Sequence, residues 1–202
     1  MTNATLSPAV SNFSRTGLYF MHETNVAQDM RDRALVRGHL AGDSSAAAEL
    51  VGHYEARLFN VALRMLGNVE DAEDVTQTVF GNAFLALESY NPQYRFFSWI
   101  YRMTVNESLN ALDRRRQMVT LDEELAIPAA EPGVTGALEA DDRVGKALML
   151  LTPNDRAIVV LRHLAECSYD EIASMLNVPS KTVKSRLFTA RERLRQVLIS
   201  QR

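Results

Sequence analysis

The chain has 202 residues, a formal net charge of −3 and a hydrophobic fraction of 47%. This length allows one or two small domains with an ordinary globular core, and the single cysteine, Cys167, excludes an internal disulfide or a cysteine-based zinc site. No apolar run approaches the roughly 20 residues that cross a bilayer, and residues 1–20 lack the basic start and apolar centre of a signal peptide. We therefore expect a cytoplasmic protein without membrane insertion.

The first 33 residues are polar and show no periodicity. Their scattered serine, asparagine and threonine predict a disordered leader over residues 1–33, because such a segment buries too little apolar surface to fold. A regulatory tail is the alternative interpretation.

A helical block is expected over residues 34–115. Its first long helix should end at Gly67, because glycine readily adopts the left-handed backbone that follows a helix. That helix carries an apolar stripe at helical spacing, made of Leu50, Tyr54, Leu58, Ala62 and Met65. Asn68 should cap the next helix, whose buried face is predicted to hold Val75, Val79, Phe80, Ala83 and Leu87.

The polar side of this second helix is strongly acidic. Its outward residues are Glu70, Asp71, Glu73, Asp74, Gln77 and Thr78. Acids at a helix start favour the macrodipole, so capping explains part of the pattern. Neighbouring like charges repel, however, and a docking surface for a basic partner would offset that repulsion. A metal site is the weaker alternative, since no histidine or carboxylate cluster elsewhere completes it.

A third helix should follow the break at Asn91-Pro92 and run from about Phe97 to Arg115. Aromatic residues precede and enter it, namely Tyr90, Tyr94, Phe96, Phe97, Trp99 and Tyr101. Arg102, Asn106 and Asn110 then share one stripe, although asparagine is unfavourable inside a helix. Hydrogen bonds to exposed bases, with aromatic rings for stacking, would explain this stripe, and a packed aromatic core with a polar rim is the alternative. Phosphate contacts are expected at the helix end from Arg114, Arg115 and Arg116.

Residues 116–140 are predicted to form a flexible linker. Its turn-forming residues are Pro128, Pro132, Gly133 and Gly136, and its acids are Asp122, Glu123, Glu124, Glu131 and Glu139.

A second helical block should cover residues 141–202. Thr152, Pro153 and Asp155 should begin its central helix with a cap, a proline at the first position and an acid in the first turn.

Residues 168–193 have the pattern of a helix-turn-helix. Ser168 and Glu171 can form a capping box, and Asn177 tolerates the left-handed backbone that ends the first helix. The second helix is basic: seven Lys/Arg and one acid from residue 181 to 202 give +6, whereas the whole chain carries −3. This local excess favours a reading helix for the DNA major groove over the alternative of a merely solvated helix.

Four segments together resemble the extracytoplasmic-function sigma factors, which are small bacterial transcription initiation factors. They are EDAEDVTQTVF (70–80), FFSWIYRMTVNESLN (96–110), LTPNDRAIVVLRHL (151–164) and SYDEIASMLNVPSKTVKSRLFTARERL (168–194). The resemblance covers about residues 34–200. It implies an all-α protein with two helical domains, sigma region 2 over 34–115 and sigma region 4 over 141–202, and with no cofactor, metal or enzymatic activity.

The resemblance also implies partners and residue roles. One group of residues would dock on the clamp helices of the largest subunit of core RNA polymerase. These residues are Asp71, Glu73, Asp74, Gln77 and Thr78. The −10 promoter element would be opened and bound by Trp99, Arg102, Asn106, Asn110, Arg114 and Arg115. The −35 element would be bound by Lys181, Thr182, Lys184, Ser185, Arg186, Phe188 and Arg191.

Three positions depart from the family pattern. Thr78 stands where the family often has an acid, and phosphorylation of Thr78 by a Ser/Thr kinase would restore the missing charge, whereas a neutral substitution is the alternative. Thr189 and Lys181 differ from the usual residues of the basic helix, which leaves the promoter sequence open. Because no regulatory domain is apparent in the sequence, we expect any regulator to be a separate anti-sigma factor or a modification.

Two other functions fit parts of the chain. A stand-alone helix-turn-helix repressor or activator would use only the second block, and a helical adaptor would bind no DNA. The acidic surface and the aromatic–asparagine stripe of the first block favour the sigma factor, because neither alternative needs them.

Overall fold

The structure is a computed structural model that describes residues 15–124 and 142–200, with side chains from 26 to 117 and from 142 onward. It contains no strand in those ranges, so the all-α prediction is confirmed. The helices are α1 (Arg15–Leu40), α2 (Ser44–Leu66), α3 (Val69–Leu85), α4 (Phe96–Glu124), α5 (Arg143–Met149), α6 (Pro153–His163), α7 (Tyr169–Leu176) and α8 (Ser180–Ser200).

The helix ends follow the local sequence signals. The Asn68 side chain accepts a backbone hydrogen bond at the start of α3, and Ser168 and Glu171 form both bonds of a capping box at the start of α7. Gly67 ends α2 with a φ of +72°, and Asn177 ends α7 with a φ of +52°. These local contacts explain why the boundaries inside the two blocks were predictable.

Helix α2 is the centre of the first helical unit, which comprises α1–α4. Helices α1, α3 and α4 all pack against it, because its apolar stripe is buried along its length: Leu50, Tyr54, Leu58, Val61, Ala62 and Met65. The facing side of α3 buries Val75, Val79 and Ala83. Burial of this kind is the main favourable contribution to folding.

Helix α1 corrects the prediction of a disordered leader over residues 1–33. It begins at Arg15, and residues 1–14 lie outside the described part of the chain. Its packing against α2 uses a polar contact, in which the buried Asp32 carboxylate accepts hydrogen bonds from Tyr54 and Gln28. Because the buried face of α1 contains a carboxylate, hydrophobic periodicity could not reveal this helix.

Helix α4 corrects the start of the predicted linker at residue 116. The helix continues to Glu124, and residues 125–141 lie outside the described part of the chain. Residues 117–124 contain no glycine or proline, so nothing in them prevents the helix from continuing. The first helix-breaking residue after Glu124 is Pro128, which is consistent with this later helix end.

Helices α5–α8 form a second unit that packs directly on the first. Helix α2 contacts α5 and α6, and α4 contacts α6 and α7. The buried Arg156 side chain reaches across this boundary, donating to the Met65 carbonyl of α2 and to the carbonyls of Leu148, Met149 and Leu151. Burial lowers the pKa of Arg156 to about 10, so the guanidinium remains charged at neutral pH.

Candidate nucleic-acid and docking surfaces

The basic helix α8 presents a free polar side. Its Val183, Leu187 and Ala190 are buried at helical spacing, which turns the opposite side outward. Residues on that outward side are exposed, namely Lys181, Lys184, Ser185, Arg186, Phe188 and Arg191, while Thr182 is half-buried. Phe188 is 76% exposed, which is unusual for a large apolar side chain outside a binding surface.

Neighbouring helices hold part of this surface in place. The Lys184 ammonium lies 5.5 Å from the centroid of the Tyr169 ring on α7, and the Arg162 guanidinium lies 4.9 Å from the same ring. Arg193 lies 3.9 Å from the Asp155 carboxylate at the start of α6. Arg186 forms no ion pair within the described residues, so it is available for an outside acceptor.

The polar stripe on α4 is exposed as well. Arg102, Asn106 and Asn110 all face solvent, and their stripe continues through Arg114, whose guanidinium lies 3.0 Å from the Glu107 carboxylate. The buried side of α4 carries Ile100, Thr104, Val105 and Ser108. The asparagines are therefore outside the core, and the packing of α4 does not require them.

Most of the aromatic residues near this stripe belong to the core. Trp99 is half-buried and packs against Tyr90 and Phe96, with ring centroids 5.4 and 5.6 Å apart. Packing therefore accounts for this part of the aromatic cluster. Tyr94 differs, because it is 65% exposed just before α4. The sequence marked Tyr94 only as one member of the aromatic cluster. Its exposure in the structure is what distinguishes it from the other aromatic residues.

The acidic surface of α3 borders two cavities. Glu73, Asp74, Gln77 and Thr78 are exposed and Asp71 is half-exposed; we call these five residues the acidic face. One cavity, of about 780 Å³, lies between α2 and α3 and is lined by Glu73, Asp74 and Gln77 together with Glu55, Phe59 and Phe80. The contribution of α2 was missed, although Glu55 and Phe59 are four residues apart and so share one side of a helix.

The second cavity joins the acidic face to the end of the α4 stripe. It has a volume of about 430 Å³, and its lining includes Asp71, Asp74 and Thr78 from α3 and Arg114 and Arg115 from α4. The residues expected to dock a protein and those expected to bind DNA thus meet at this cavity.

The described residues contain no group of histidine, cysteine, aspartate and glutamate that could hold a metal ion. Burial raises the pKa of the Cys167 thiol to about 12, so this residue is not a reactive thiolate. None of the described helices is long and apolar enough to cross a membrane.

Comparison with known proteins agrees with this geometry. Residues 50–118 match the model of Sigma-70 region 2, and residues 141–194 match that of Sigma-70 region 4. The chain is 31% identical over 170 residues to the ECF RNA polymerase sigma factor SigW of Bacillus subtilis, covering 78% of this chain and 91% of SigW. The chain belongs to the extracytoplasmic-function (ECF) sigma factors. It is accordingly an alternative sigma factor that directs promoter-specific transcription initiation, and it is not an enzyme.

Other members of the family are similarly related. The ECF sigma-E factor of Escherichia coli is 30% identical over 180 residues, covering 83% of this chain and 94% of that protein. SigE of Mycolicibacterium smegmatis is 36% identical over 167 residues, covering 78% of this chain and 64% of SigE. The solved structure of CnrH in complex with the cytosolic domain of CnrY matches with a TM-score of 0.66 and 26% identity, covering 85% of this chain and 99% of CnrH. The family favours neither a stand-alone repressor nor an adaptor.

Proposed function

We propose that this ECF sigma factor divides its task among three surfaces. The acidic face and the adjoining α2–α3 cavity dock on the clamp helices of the largest polymerase subunit. The α4 stripe binds the non-template strand of the −10 element, and the exposed side of α8 binds the −35 element in the major groove. The observation that supports this division most strongly is that each surface lies on the outward side of a helix whose opposite side is buried.

The charges and shapes of the docking surface suit a basic helix. Glu55, Glu73 and Asp74 surround the cavity, while Phe59 and Phe80 line it. Carboxylates at the rim attract lysine and arginine, and the apolar floor accepts the apolar side of the same helix. Both features are needed for a stable contact, because exposed ion pairs alone contribute little.

The −10 surface suits single-stranded DNA. An extruded base costs a few kcal/mol of stacking and pairing, so a protein that opens DNA has to stabilise it. Asn106 and Asn110 offer amides that both donate and accept hydrogen bonds, and Arg114 and Arg115 are placed to contact phosphates. The exposed ring of Tyr94 adds a stacking surface at the start of α4.

The −35 surface suits duplex DNA. An arginine can bind guanine through two hydrogen bonds, and a phenylalanine can contact the thymine methyl group. Arg186 and Phe188 have these properties and are both exposed on the outward side of α8. Lys181 and Lys184 serve as phosphate contacts, which set the position of the helix without specifying sequence.

Run-off transcription with core polymerase on genomic fragments, including the region upstream of this gene, tests the proposed function. We expect promoter-specific transcripts only when the protein is added. A charge-reversed acidic face, Asp74→Lys with Glu73→Lys, should abolish both transcription and core binding, whereas Glu88→Lys, an exposed acid outside that face, should not. Equal transcription by the reversed variant would contradict the docking assignment.

Regulation by a separate protein is part of the proposal. CnrH, which shares the fold, was solved with the cytosolic domain of CnrY, and we propose that an anti-sigma factor binds this chain too. A Ser/Thr kinase acting on Thr78 is the other proposed regulator. Mass spectrometry of the protein purified from its own cells distinguishes the two, because one leaves a bound partner and the other a phosphate.

A further inference from the structure

We propose that Tyr90 is a positioning residue for promoter opening, because its hydroxyl holds the exposed turn that carries Tyr94. This inference rests on the proposed function, which gives the Tyr94 ring the role of a stacking surface for an extruded base of the −10 element. What it adds is the residue that fixes this ring in place before DNA binds. We call residues 91–94 the Tyr94 turn.

Tyr90 is itself firmly held in the first helical unit. It is only 7% exposed, and its ring packs against those of Phe96 and Trp99, with centroids 5.7 and 5.4 Å apart. Its backbone N–H donates to the Leu87 carbonyl at 3.1 Å. Because both the ring and the backbone are restrained, the hydroxyl of Tyr90 has a defined position.

The Tyr90 hydroxyl makes a long-lived donor to the turn. It donates to the backbone carbonyl of Tyr94 at 2.6 Å, within the range of a good hydroxyl hydrogen bond. Burial raises the pKa of Tyr90 to about 12, so the hydroxyl keeps its proton at neutral pH. This bond therefore joins a buried side chain to the backbone of an exposed residue.

The Tyr94 turn is compact but lies on the surface. The Tyr94 N–H donates to the Asn91 carbonyl at 3.1 Å, and the Gln93 N–H donates to the Asn91 side chain at 2.9 Å. Pro92 occupies the second position, where its fixed φ favours such a turn. All four residues are exposed, so the turn gains little from apolar burial. Its local bonds determine its shape, whereas the Tyr90 hydroxyl joins it to the core.

Tyr90 contacts two aromatic residues that are proposed to meet the −10 strand. Its ring packs against Trp99, which is half-buried in the first turn of α4. Its hydroxyl holds Tyr94, which is 65% exposed. One buried side chain thus sets the positions of two rings on which bases can stack.

Restraint of the turn before binding favours capture of an extruded base. A mobile turn would lose conformational entropy when a base stacks on Tyr94, and this loss would reduce the affinity. The Tyr90 hydroxyl removes part of that loss, because it orders the turn in the free protein. Every base has an aromatic face, so stacking tolerates different sequences. Tyr90 should therefore affect how much promoter is opened more than which sequence is chosen.

The variant Tyr90→Phe tests this role, because phenylalanine keeps the ring packing and removes only the hydroxyl. Tyr101→Phe is the matched control. Tyr101 is also buried in the first unit, and it takes no part in the hydrogen bonds described for the Tyr94 turn. Thermal unfolding followed by circular dichroism checks that both variants are folded, and both should bind core polymerase like wild type.

Amide hydrogen exchange of the free protein measures the restraint directly. Peptides that cover residues 91–94 should exchange about two- to tenfold faster in Tyr90→Phe than in wild type, which is the change expected from one hydrogen bond. Exchange in Tyr101→Phe should match wild type. Equal exchange in wild type and Tyr90→Phe overturns the proposal, whatever the effect on DNA binding.

A double-mutant cycle then tests whether Tyr90 acts through Tyr94. Holoenzyme is titrated with a labelled oligonucleotide that carries the non-template −10 sequence of a promoter found by run-off transcription. Tyr90→Phe should weaken binding about two- to tenfold, and Tyr94→Ala, which removes the stacking ring, about fivefold or more. In the Tyr94→Ala background, Tyr90→Phe should have no further effect, a coupling that a general loss of stability would not produce.

The binding results separate this proposal from the proposed function. Wild-type affinity in Tyr90→Phe, or an equal loss in both backgrounds, overturns the positioning role. Wild-type affinity in Tyr94→Ala overturns it as well, because Tyr94 then has no stacking role. A wild-type holoenzyme that binds this strand no better than core polymerase alone would instead contradict the proposed −10 surface, while the restraint of the turn is still judged by hydrogen exchange.

Discussion

The Arg115 guanidinium lies 3.8 Å from the Asp71 carboxylate, so an arginine proposed to bind promoter DNA contacts an acid proposed to bind polymerase. Thr78 borders the same cavity. Two surfaces that come from separate sequence motifs are therefore neighbours in space. A change of charge at Thr78 would therefore alter the electrostatic potential at both the polymerase-docking surface and the DNA surface, since all these groups lie within about one screening length.

We predict that Thr78→Glu strengthens core polymerase binding. The added carboxylate extends the acidic face, and an exposed ion pair contributes up to about 1 kcal/mol, which is about a fivefold change in affinity. Thr78→Val is the control, because it keeps the shape of threonine without a charge. Titration of labelled core polymerase measures both. A Thr78→Glu variant that binds no better than wild type would count against regulation by phosphorylation.

Arg186→Ala should relax sequence choice at one position of the −35 element. Loss of a two-bond contact to guanine removes about 1–3 kcal/mol of discrimination, which is roughly 5- to 150-fold. Transcription from a library of −35 variants measures this loss. Arg195→Ala is the matched control, since Arg195 is exposed on the same helix but pairs with Glu192. Unchanged sequence selectivity in the Arg186→Ala variant would contradict the proposal that Arg186 binds a base of the −35 element.

Asn106→Ala should impair promoter opening while polymerase binding is unaffected. One lost hydrogen bond to an extruded base corresponds to about 0.5–1.5 kcal/mol, or about 2- to 12-fold. Permanganate reactivity of −10 thymines measures opening, and co-elution with core polymerase measures docking. Asn82→Ala, at an exposed asparagine on α3, controls for the substitution itself. Full permanganate reactivity in the Asn106→Ala variant would show that Asn106 is not needed for promoter opening and would contradict a DNA-binding role for the α4 stripe.

Asp32 should make stability depend on pH. Burial raises the pKa of Asp32 above its ordinary value, against the opposing effect of its hydrogen bonds from Tyr54 and Gln28. The folded protein therefore takes up this proton more readily than the unfolded chain, so the contribution of Asp32 to stability is complete at low pH and is lost as pH rises through the folded pKa.

Asp32→Asn isolates this effect, because asparagine does not titrate and all other groups are shared with wild type. Relative to the variant, wild type should gain free energy of unfolding as pH falls from about 7 to about 4. Urea denaturation at a series of pH values measures the difference. A difference that stays constant, or that shrinks toward low pH, would show that the folded state does not raise this pKa.

Local signals predicted most of the helices and the reading helix. The capping box of Ser168 and Glu171, the glycine end of α2 and the spacing of buried residues on α8 depend on residues at most four positions apart. The acidic face and the asparagine stripe were recognisable for the same reason. The exposure of each now agrees with its predicted place on the helix surface.

Long-range contacts were not predictable in this way. The helix that includes Asp32 was missed because its buried face contains this carboxylate, whose partner, Tyr54, lies on another helix. Trp99, which is predicted to bind DNA, also packs with Tyr90 and is half-buried. Neither contact produces a hydrophobic periodicity that could be recognised in the sequence.

The amino-acid sequence by itself determined the all-helical class, the sigma-factor family and the sides of α3, α4 and α8 that face solvent, because helix formation and amphipathic burial depend on near neighbours. Only the tertiary structure decided how the two units meet. The pairs Arg64–Asp142 and Arg95–Glu171 join residues more than 70 positions apart, and such pairings depend on the shape of two folded surfaces, which no local pattern encodes.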